Sequence, residues 1–139
     1  MAEPQIDLSL LEDALVQFRS VLEEYESHPG TRAYRDSVVI HFVIVYNLTV
    51  QLMFRYLQQE SGKIKHADDL TLPRAVRRAL DLGVLQCEWE QFAQYSKARN
   101  SVAHVYDLAK AESLVRLAPA LLNDATFLLA SVKRRRDEA

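Results

Sequence analysis

One long apolar segment limits the folds that are open to this chain. Residues 38–57 read VVIHFVIVYNLTVQLMFRYL, which is close to the length of a membrane span. At about 100° per residue, polar residues of this region nevertheless fall on one arc of a helix, here called the polar seam: Asp36, Ser37, His41, Asn47, Gln51 and Arg55. A lipid-facing helix rarely carries such a stripe without partner spans. The segment therefore predicts the central helix of a soluble bundle, and it leaves open whether the seam is a solvated surface or a functional cleft.

Other apolar residues repeat at helical spacing, and residues that cap or stop helices separate them. The predicted helices cover about 8–26 and 32–59, a short stretch from a Thr71 cap with Pro73 to Leu80, a fourth helix beginning at Glu88, and a last one from an Asp107 cap to Val132. Gly83 supplies a left-handed stop after the third helix. Pro119 is expected to kink or divide the last helix.

Composition favours the same fold class. The chain has 139 residues, which is the size of one domain, and 49% of them are apolar. Only three Gly and four Pro occur, too few for a β sandwich with many tight turns. These observations predict an all-α protein, an antiparallel bundle of four to five helices.

Several classes of site and location are disfavoured by the sequence. The formal net charge of −2 does not indicate a broad nucleic-acid-binding surface. Cys87 is the lone cysteine, and the four histidines are scattered without carboxylates at metal-ligand spacing, so no metal or organic cofactor is predicted. The first seven residues lack a basic and apolar leader, so a cytoplasmic protein without membrane association is expected.

The segment from Arg99 to Tyr106 combines side chains suited to chemistry on a phosphodiester. Arg99 is permanently charged and can hold phosphate oxygens, while His104 titrates near neutral pH and can move protons. From the residues alone, a structural role for this pair is equally plausible, because arginines in bundles often pair with glutamate. Lys97 either extends a basic rim or is an ordinary solvated lysine, and the second interpretation is favoured.

Spacing along a regular helix favours a site that is shared between two chains. Arg99 and His104 would point about 140° apart, so one helix cannot easily aim both at one atom. Two such helices facing each other could surround a cleft with two of each. Small residues at Ala93, Ser96 and Ala103 would let a partner helix approach, which predicts a homodimer.

The run Arg99-Asn100-x3-His104-x-Tyr106 resembles the Arg-x4-His-x-Tyr motif of HEPN domains, specifically the HepT toxin type. That group also includes substrate-binding partners of nucleotidyltransferases. The resemblance continues through residues 34–38, the Pro73 helix, Gly83 and Trp89, and it covers about residues 8–132 of a single HEPN-like domain, 1–139. Residues 40–43 and 47–51 depart from the family's pattern, because they lack its charged residues.

This resemblance implies a metal-independent endoribonuclease toxin that acts on RNA as a dimer and is inhibited by a minimal nucleotidyltransferase antitoxin. It assigns Arg99 to phosphate binding, His104 to acid and base catalysis and Asn100 to orientation, and it makes Tyr106 the residue that the antitoxin adenylylates. The alternative is a non-catalytic substrate-binding subunit of a nucleotidyltransferase complex. The same residues would then contact a ligand or a partner.

Overall fold

Helices account for nearly all of the described chain. The computed structural model describes residues 6–60, 70–104 and 107–138, with side chains at 103 and 104 outside that description. Within these ranges there is no β-strand, and the α-helices are α1 (Ser9–Ser27), α2 (Arg32–Glu60), α3 (Leu72–Asp81), α4 (Trp89–Asn100) and α5 (Leu108–Glu138). A 3-10 helix, Ser101–His104, follows α4 directly. The predicted all-α bundle is thus confirmed, with five α-helices in the described residues.

Local capping signals set most of these boundaries. The Thr71 hydroxyl accepts a hydrogen bond from the Arg74 N–H at 3.5 Å, with Pro73 in the first turn of α3. Gly83 follows α3 with a φ of +78°, the left-handed conformation predicted for the stop. The Asp107 carboxylate accepts hydrogen bonds from the N–H groups of Ala109 at 3.0 Å and Lys110 at 3.4 Å, so the predicted cap of α5 is present. Each predicted helix therefore begins within one or two residues of its position in the structure.

The long apolar helix occupies the centre of the bundle. It packs against all four other helices, and Val38, Phe42, Val45 and Met53 are fully buried. Both α2 and α5 have the length and apolar composition to cross a membrane. Within the bundle, the apolar sides of both helices lie in one common core.

Two local features qualify the predictions. Of the kink or division expected at Pro119, division is wrong: α5 continues through it as a single helix. Pro119 is exposed while its neighbours Ala118 and Leu121 are buried, so tertiary packing holds the helix together on its inner side. The fourth helix, predicted to begin at Glu88 and to run into the Arg99–Tyr106 segment, ends as a regular helix at Asn100, where the chain tightens into the 3-10 helix.

Candidate functional site

The candidate site lies at the carboxyl end of α4, and α4 is fixed there by α2. The Tyr46 hydroxyl lies 2.7 Å from the Ser96 hydroxyl, and the ring of Tyr46 packs against Phe92 with centroids 5.9 Å apart. Ser96 also donates a hydrogen bond to the Phe92 carbonyl at 3.4 Å. The small side chain of Ser96 thus serves packing between α2 and α4 within one chain, so it does not provide the free approach surface that the sequence suggested.

One helical turn further on, the motif arginine meets the polar seam of α2. Arg99 is exposed, and its Nε donates a hydrogen bond to the Asn47 side-chain oxygen at 3.4 Å. Asn47 is half-buried and belongs to the polar seam of α2. A neutral amide leaves the positive charge of Arg99 uncompensated by this neighbour, so the guanidinium remains available to an anion.

The polar seam also carries exposed apolar side chains beside Arg99. Ile40 and Ile44 are 58% and 43% exposed, although they lie on the most apolar helix of the chain. On a helix these residues share one side with Asn47, at positions i, i+4 and i+7. Two exposed apolar residues thus adjoin the polar contact between the seam and the motif arginine.

A buried polar network holds α4 against α5. The Tyr95 hydroxyl donates to one oxygen of Asp124 at 2.5 Å, and the Gln86 side-chain amide donates to the other at 2.8 Å. The Gln91 amide donates to the Tyr95 oxygen at 3.0 Å. Asp124 is only 8% exposed, so this carboxylate depends on these donors in place of water. The network fixes α4 one turn before Arg99.

Sequence reasoning missed this network, although a signal for it exists. Asp124 is a carboxylate on the apolar side of α5, between Leu121 and Leu128. A charged residue at such a position needs a partner from another helix, and a tyrosine on the apolar side of α4 is a suitable donor. The pattern calls for a partner, but only the packed structure identifies it as Tyr95.

Burial perturbs the titration of two groups around Asp124. Burial raises the pKa of the Tyr95 hydroxyl well above its usual value, and the hydrogen bond to the Asp124 carboxylate adds to the effect. Burial also raises the pKa of the Cys87 thiol to about 12, with a further contribution from the charge of Asp124. Both groups therefore stay protonated at neutral pH, and Cys87 is not an activated thiol.

The structure brings some of the predicted site residues together and leaves others undescribed. Arg99 and Asn100 are both exposed in the last turn of α4, and the backbone of His104 lies in the 3-10 helix that follows. The side chain of His104 and all of Tyr106 lie outside the described residues. Because a 3-10 helix turns more tightly, the angle of about 140° between Arg99 and His104 in a regular helix does not apply here. Lys97 is exposed on another side of α4 from Arg99.

The exposed end of α4 can bind an anion. Arg99 has planar donors that match a phosphate, and Asn100 adds an amide that can donate or accept a hydrogen bond. Across the described residues, no group of three or more His, Cys, Asp or Glu side chains is placed to hold a metal ion. The chemistry that the described residues support is therefore the binding and charge stabilisation of a phosphate group.

Comparison with known proteins gives consistent results. The chain is similar over 94 residues, at 28% identity, to a Haemophilus influenzae protein named "Probable ribonuclease HepT", and the match covers 68% of this chain and 64% of that protein. The chain thus spans less than two thirds of this relative. A solved Haemophilus influenzae structure, described as showing the fold of a substrate binding domain of a nucleotidyltransferase, superposes with a TM-score of 0.82 at 21% identity. That likeness covers 91% of this chain and 99% of the other, and it shows that the two share a fold.

A family model extends over almost the whole chain. It describes nucleotidyltransferase substrate binding protein-like proteins and matches residues 6–134. The match includes every α-helix described above apart from the last few residues of α5. The resemblance that began with the motif at Arg99 is thereby confirmed at the level of the family: the chain belongs to the nucleotidyltransferase substrate binding protein-like family.

Proposed function

We propose that this protein is a metal-independent endoribonuclease toxin of the HEPN type, controlled by a minimal nucleotidyltransferase antitoxin. One observation carries the proposal: an exposed arginine, Arg99, is held by Asn47 at the end of α4, and His104 follows in the adjoining 3-10 helix. Similarity to a probable ribonuclease supports the same activity.

The reaction needs no group beyond the motif residues. Attack of a ribose 2′-hydroxyl on the adjacent phosphorus requires a proton acceptor, and departure of the 5′-oxygen requires a proton donor. Imidazole side chains in general titrate near neutral pH, and His104 serves in these proton transfers. Arg99 stabilises the charge that accumulates on the phosphate oxygens, and Asn100 orients the substrate or the histidine. The 2′,3′-cyclic phosphate and a free 5′-hydroxyl are the expected products.

A homodimer completes the proposed site. Ile40 and Ile44 form an exposed apolar pair directly beside Asn47 and Arg99 on the surface of the bundle. Burying these side chains against the same surface of a second copy would bring two Arg99 residues towards a common cleft and remove apolar area from water. The proposed interface is thus the polar seam of α2, which replaces the small residues of α4 as the basis for the prediction.

The second candidate is a non-catalytic binding subunit of a nucleotidyltransferase complex. The description of the family and the shared fold with a substrate-binding domain of a nucleotidyltransferase favour this candidate. In that case Arg99 would contact a phosphate-bearing ligand or the partner enzyme, and no RNA would be cleaved. The two candidates share a fold and a charged site, so activity must separate them.

Cleavage of RNA by the purified protein, in buffer containing a metal chelator, separates the two candidates. We expect the wild type to cleave single-stranded RNA, and Arg99→Ala and His104→Ala to lose at least about a hundredfold in rate. Arg134→Ala removes an exposed arginine near the carboxyl end of α5, whereas the motif precedes the amino end of that helix; it is the matched control and is expected to cleave normally. Circular dichroism must show that all variants are folded. Equal rates in all four proteins, or no cleavage by folded wild type, would leave the binding subunit as the function.

Control by the antitoxin is proposed to occur through Tyr106. An adenylate on its phenol would put a phosphate near Arg99 and His104 and occupy the charge that meets RNA. Co-expression with the neighbouring nucleotidyltransferase, followed by intact-mass measurement, is expected to show added adenylate that is absent from Tyr106→Phe. An unmodified protein that the partner still neutralises would show that inhibition works through binding alone.

A further inference from the structure

A cleft lies on the side of α4 opposite the candidate site. It has a volume of about 550 Å³ and runs between the second half of α4 and the first turns of α5. Lys97 and Lys110 are on its two walls, two residues before Arg99 and near the start of α5 respectively. Because a step of two residues turns a helix by about 200°, Lys97 and Arg99 point in nearly opposite directions. The volume falls in the range of small-molecule sites.

The charge of this cleft suits an anion. Both lysines are exposed, and neither forms an ion pair with a described residue, so no carboxylate of the described ranges neutralises their ammonium groups. The cleft also contains Asp107, but its carboxylate already accepts the N–H groups of Ala109 and Lys110. That cap leaves the lysine side chains, and not the amino end of α5, as the partners of a bound anion.

The floor of the cleft suits a flat apolar group. Leu117 is half-buried and provides apolar surface in the lining, next to the buried Ala98 and Leu114. Gln94 and Ser113 are exposed at the edges, where an amide and a hydroxyl can donate or accept hydrogen bonds. The apolar surface can contact the face of a base, and the polar groups can form hydrogen bonds with the edge of that base. The two cations can bind a phosphate.

We propose that this cleft binds a nucleoside phosphate, with the base against the apolar surface at Leu117 and the phosphate between Lys97 and Lys110. The Asp107 carboxylate can accept a hydrogen bond from a ribose hydroxyl at the same end of the cleft. This site is separate from Arg99 and does not depend on the proposed ribonuclease activity. The ligand is either a free nucleotide or one nucleotide unit of an RNA strand that passes behind α4.

Calorimetric titration of the wild-type protein with the four nucleoside 5′-monophosphates tests the proposal. We expect at least one of them to bind below about 1 mM, and Lys97→Gln and Lys110→Gln each to weaken binding about tenfold. Lys133→Gln changes an exposed lysine at the far end of α5 and is expected to bind as the wild type does. Adenosine and ribose 5-phosphate, which lack the phosphate and the base respectively, are expected to bind much more weakly.

Three outcomes would overturn the proposal. They are the absence of binding by all four nucleotides, equal binding by both lysine variants, and equal binding of ribose 5-phosphate, which would show a site for phosphate only. Because the titration involves no cleavage, its failure is separate from failure of the ribonuclease proposal.

A second titration identifies the source of the ligand. The probe is a short single-stranded RNA that carries 2′-O-methyl groups and cannot be cleaved through the 2′-oxygen. If Lys97→Gln and Lys110→Gln weaken this RNA as much as the mononucleotide, the cleft holds a unit of the strand. If they weaken the mononucleotide only, the ligand is a free nucleotide.

Discussion

The buried hydrogen bond from Tyr95 to Asp124 allows a quantitative test of how α4 is held against α5. Tyr95→Phe removes a single oxygen and leaves the ring packed between Phe42 and Phe92, so no cavity of side-chain size forms. The Asp124 carboxylate then keeps Gln86 as a donor but loses the hydroxyl at 2.5 Å, while it stays 8% exposed. A hydrogen bond to a charged group contributes about 1.5–3 kcal/mol, and we expect the free energy of unfolding to fall by that amount.

Urea unfolding followed by circular dichroism at pH 7 and a fixed protein concentration measures this loss. Tyr46→Phe is the matched control, because it removes a phenolic hydroxyl that meets the neutral Ser96 hydroxyl, and its expected cost is about 0.5–1.5 kcal/mol. Asp124→Asn and the double variant complete a cycle with Tyr95→Phe. Because the amide is a weaker acceptor than the carboxylate, Tyr95→Phe is expected to cost less in the Asp124→Asn background.

Two results would refute this reasoning. The first is a free energy of unfolding for Tyr95→Phe within about 0.5 kcal/mol of the wild-type value. The hydrogen bond would then stabilise the bundle less than its burial requires. If the two substitutions are additive, the residues do not interact energetically despite their distance. A changed slope of the unfolding free energy against urea concentration would instead indicate that the variant exposes a different surface area on unfolding. The two free energies of unfolding would then be compared by an independent method.

Three further predictions follow from particular contacts. Ile44→Arg, which places a charge on the exposed part of the polar seam, is expected to convert the proposed dimer into a monomer in sedimentation experiments, and a monomeric wild type at about tens of micromolar would contradict the dimer. The raised pKa of Cys87, about 12 against an ordinary 9.0, means that the thiol of the unfolded chain ionises first as pH rises. The free energy of unfolding should therefore fall from pH 9 towards 12, and less steeply in Cys87→Ser; equal slopes for the two proteins would argue against it. Arg135→Gln removes the hydrogen-bond donors to the Leu82 carbonyl and, at 3.1 Å, to the Tyr56 hydroxyl of α2. In urea unfolding it should lower the free energy of unfolding by about 1–2 kcal/mol, whereas Arg134→Gln, at an exposed position, should change it very little.

Much of the secondary structure could be predicted because its signals are local. Thr71, Gly83 and Asp107 each act within one helical turn of their own position, so their residue types predict where α3 begins and ends and where α5 begins. The apolar periodicity likewise identifies the buried sides of the helices, since core positions repeat at the period of the helix. The motif at Arg99 indicates the family in the same way, through residues that are close in sequence.

Local residue preferences did not predict the structure at two places, the middle of α5 and the end of α4. Pro119 was expected to kink or divide the last helix. Burial of Ala118 and Leu121 beside it keeps α5 undivided, because tertiary contacts outweigh an unfavourable local propensity. The end of α4 at Asn100 is a second example. Apolar and polar spacing fits a regular helix there, and a 3-10 helix of only four residues is too short for its own period to be read from the sequence.

The contacts around the candidate site depend entirely on tertiary structure. Arg99 and Asn47 are separated by 52 positions, and Tyr95 and Asp124 by 29. Each residue by itself shows only that a polar side chain lies on a largely apolar helix, and many partners would satisfy it. Which pairs form is decided by the relative rotation and depth of the packed helices, quantities that follow from the fit of whole helix surfaces and not from any single position. The sequence by itself thus determined the helices, the family and the motif. Only the tertiary structure brought Asn47 of the polar seam into contact with Arg99 and the buried carboxylate of Asp124 into contact with Tyr95 of α4.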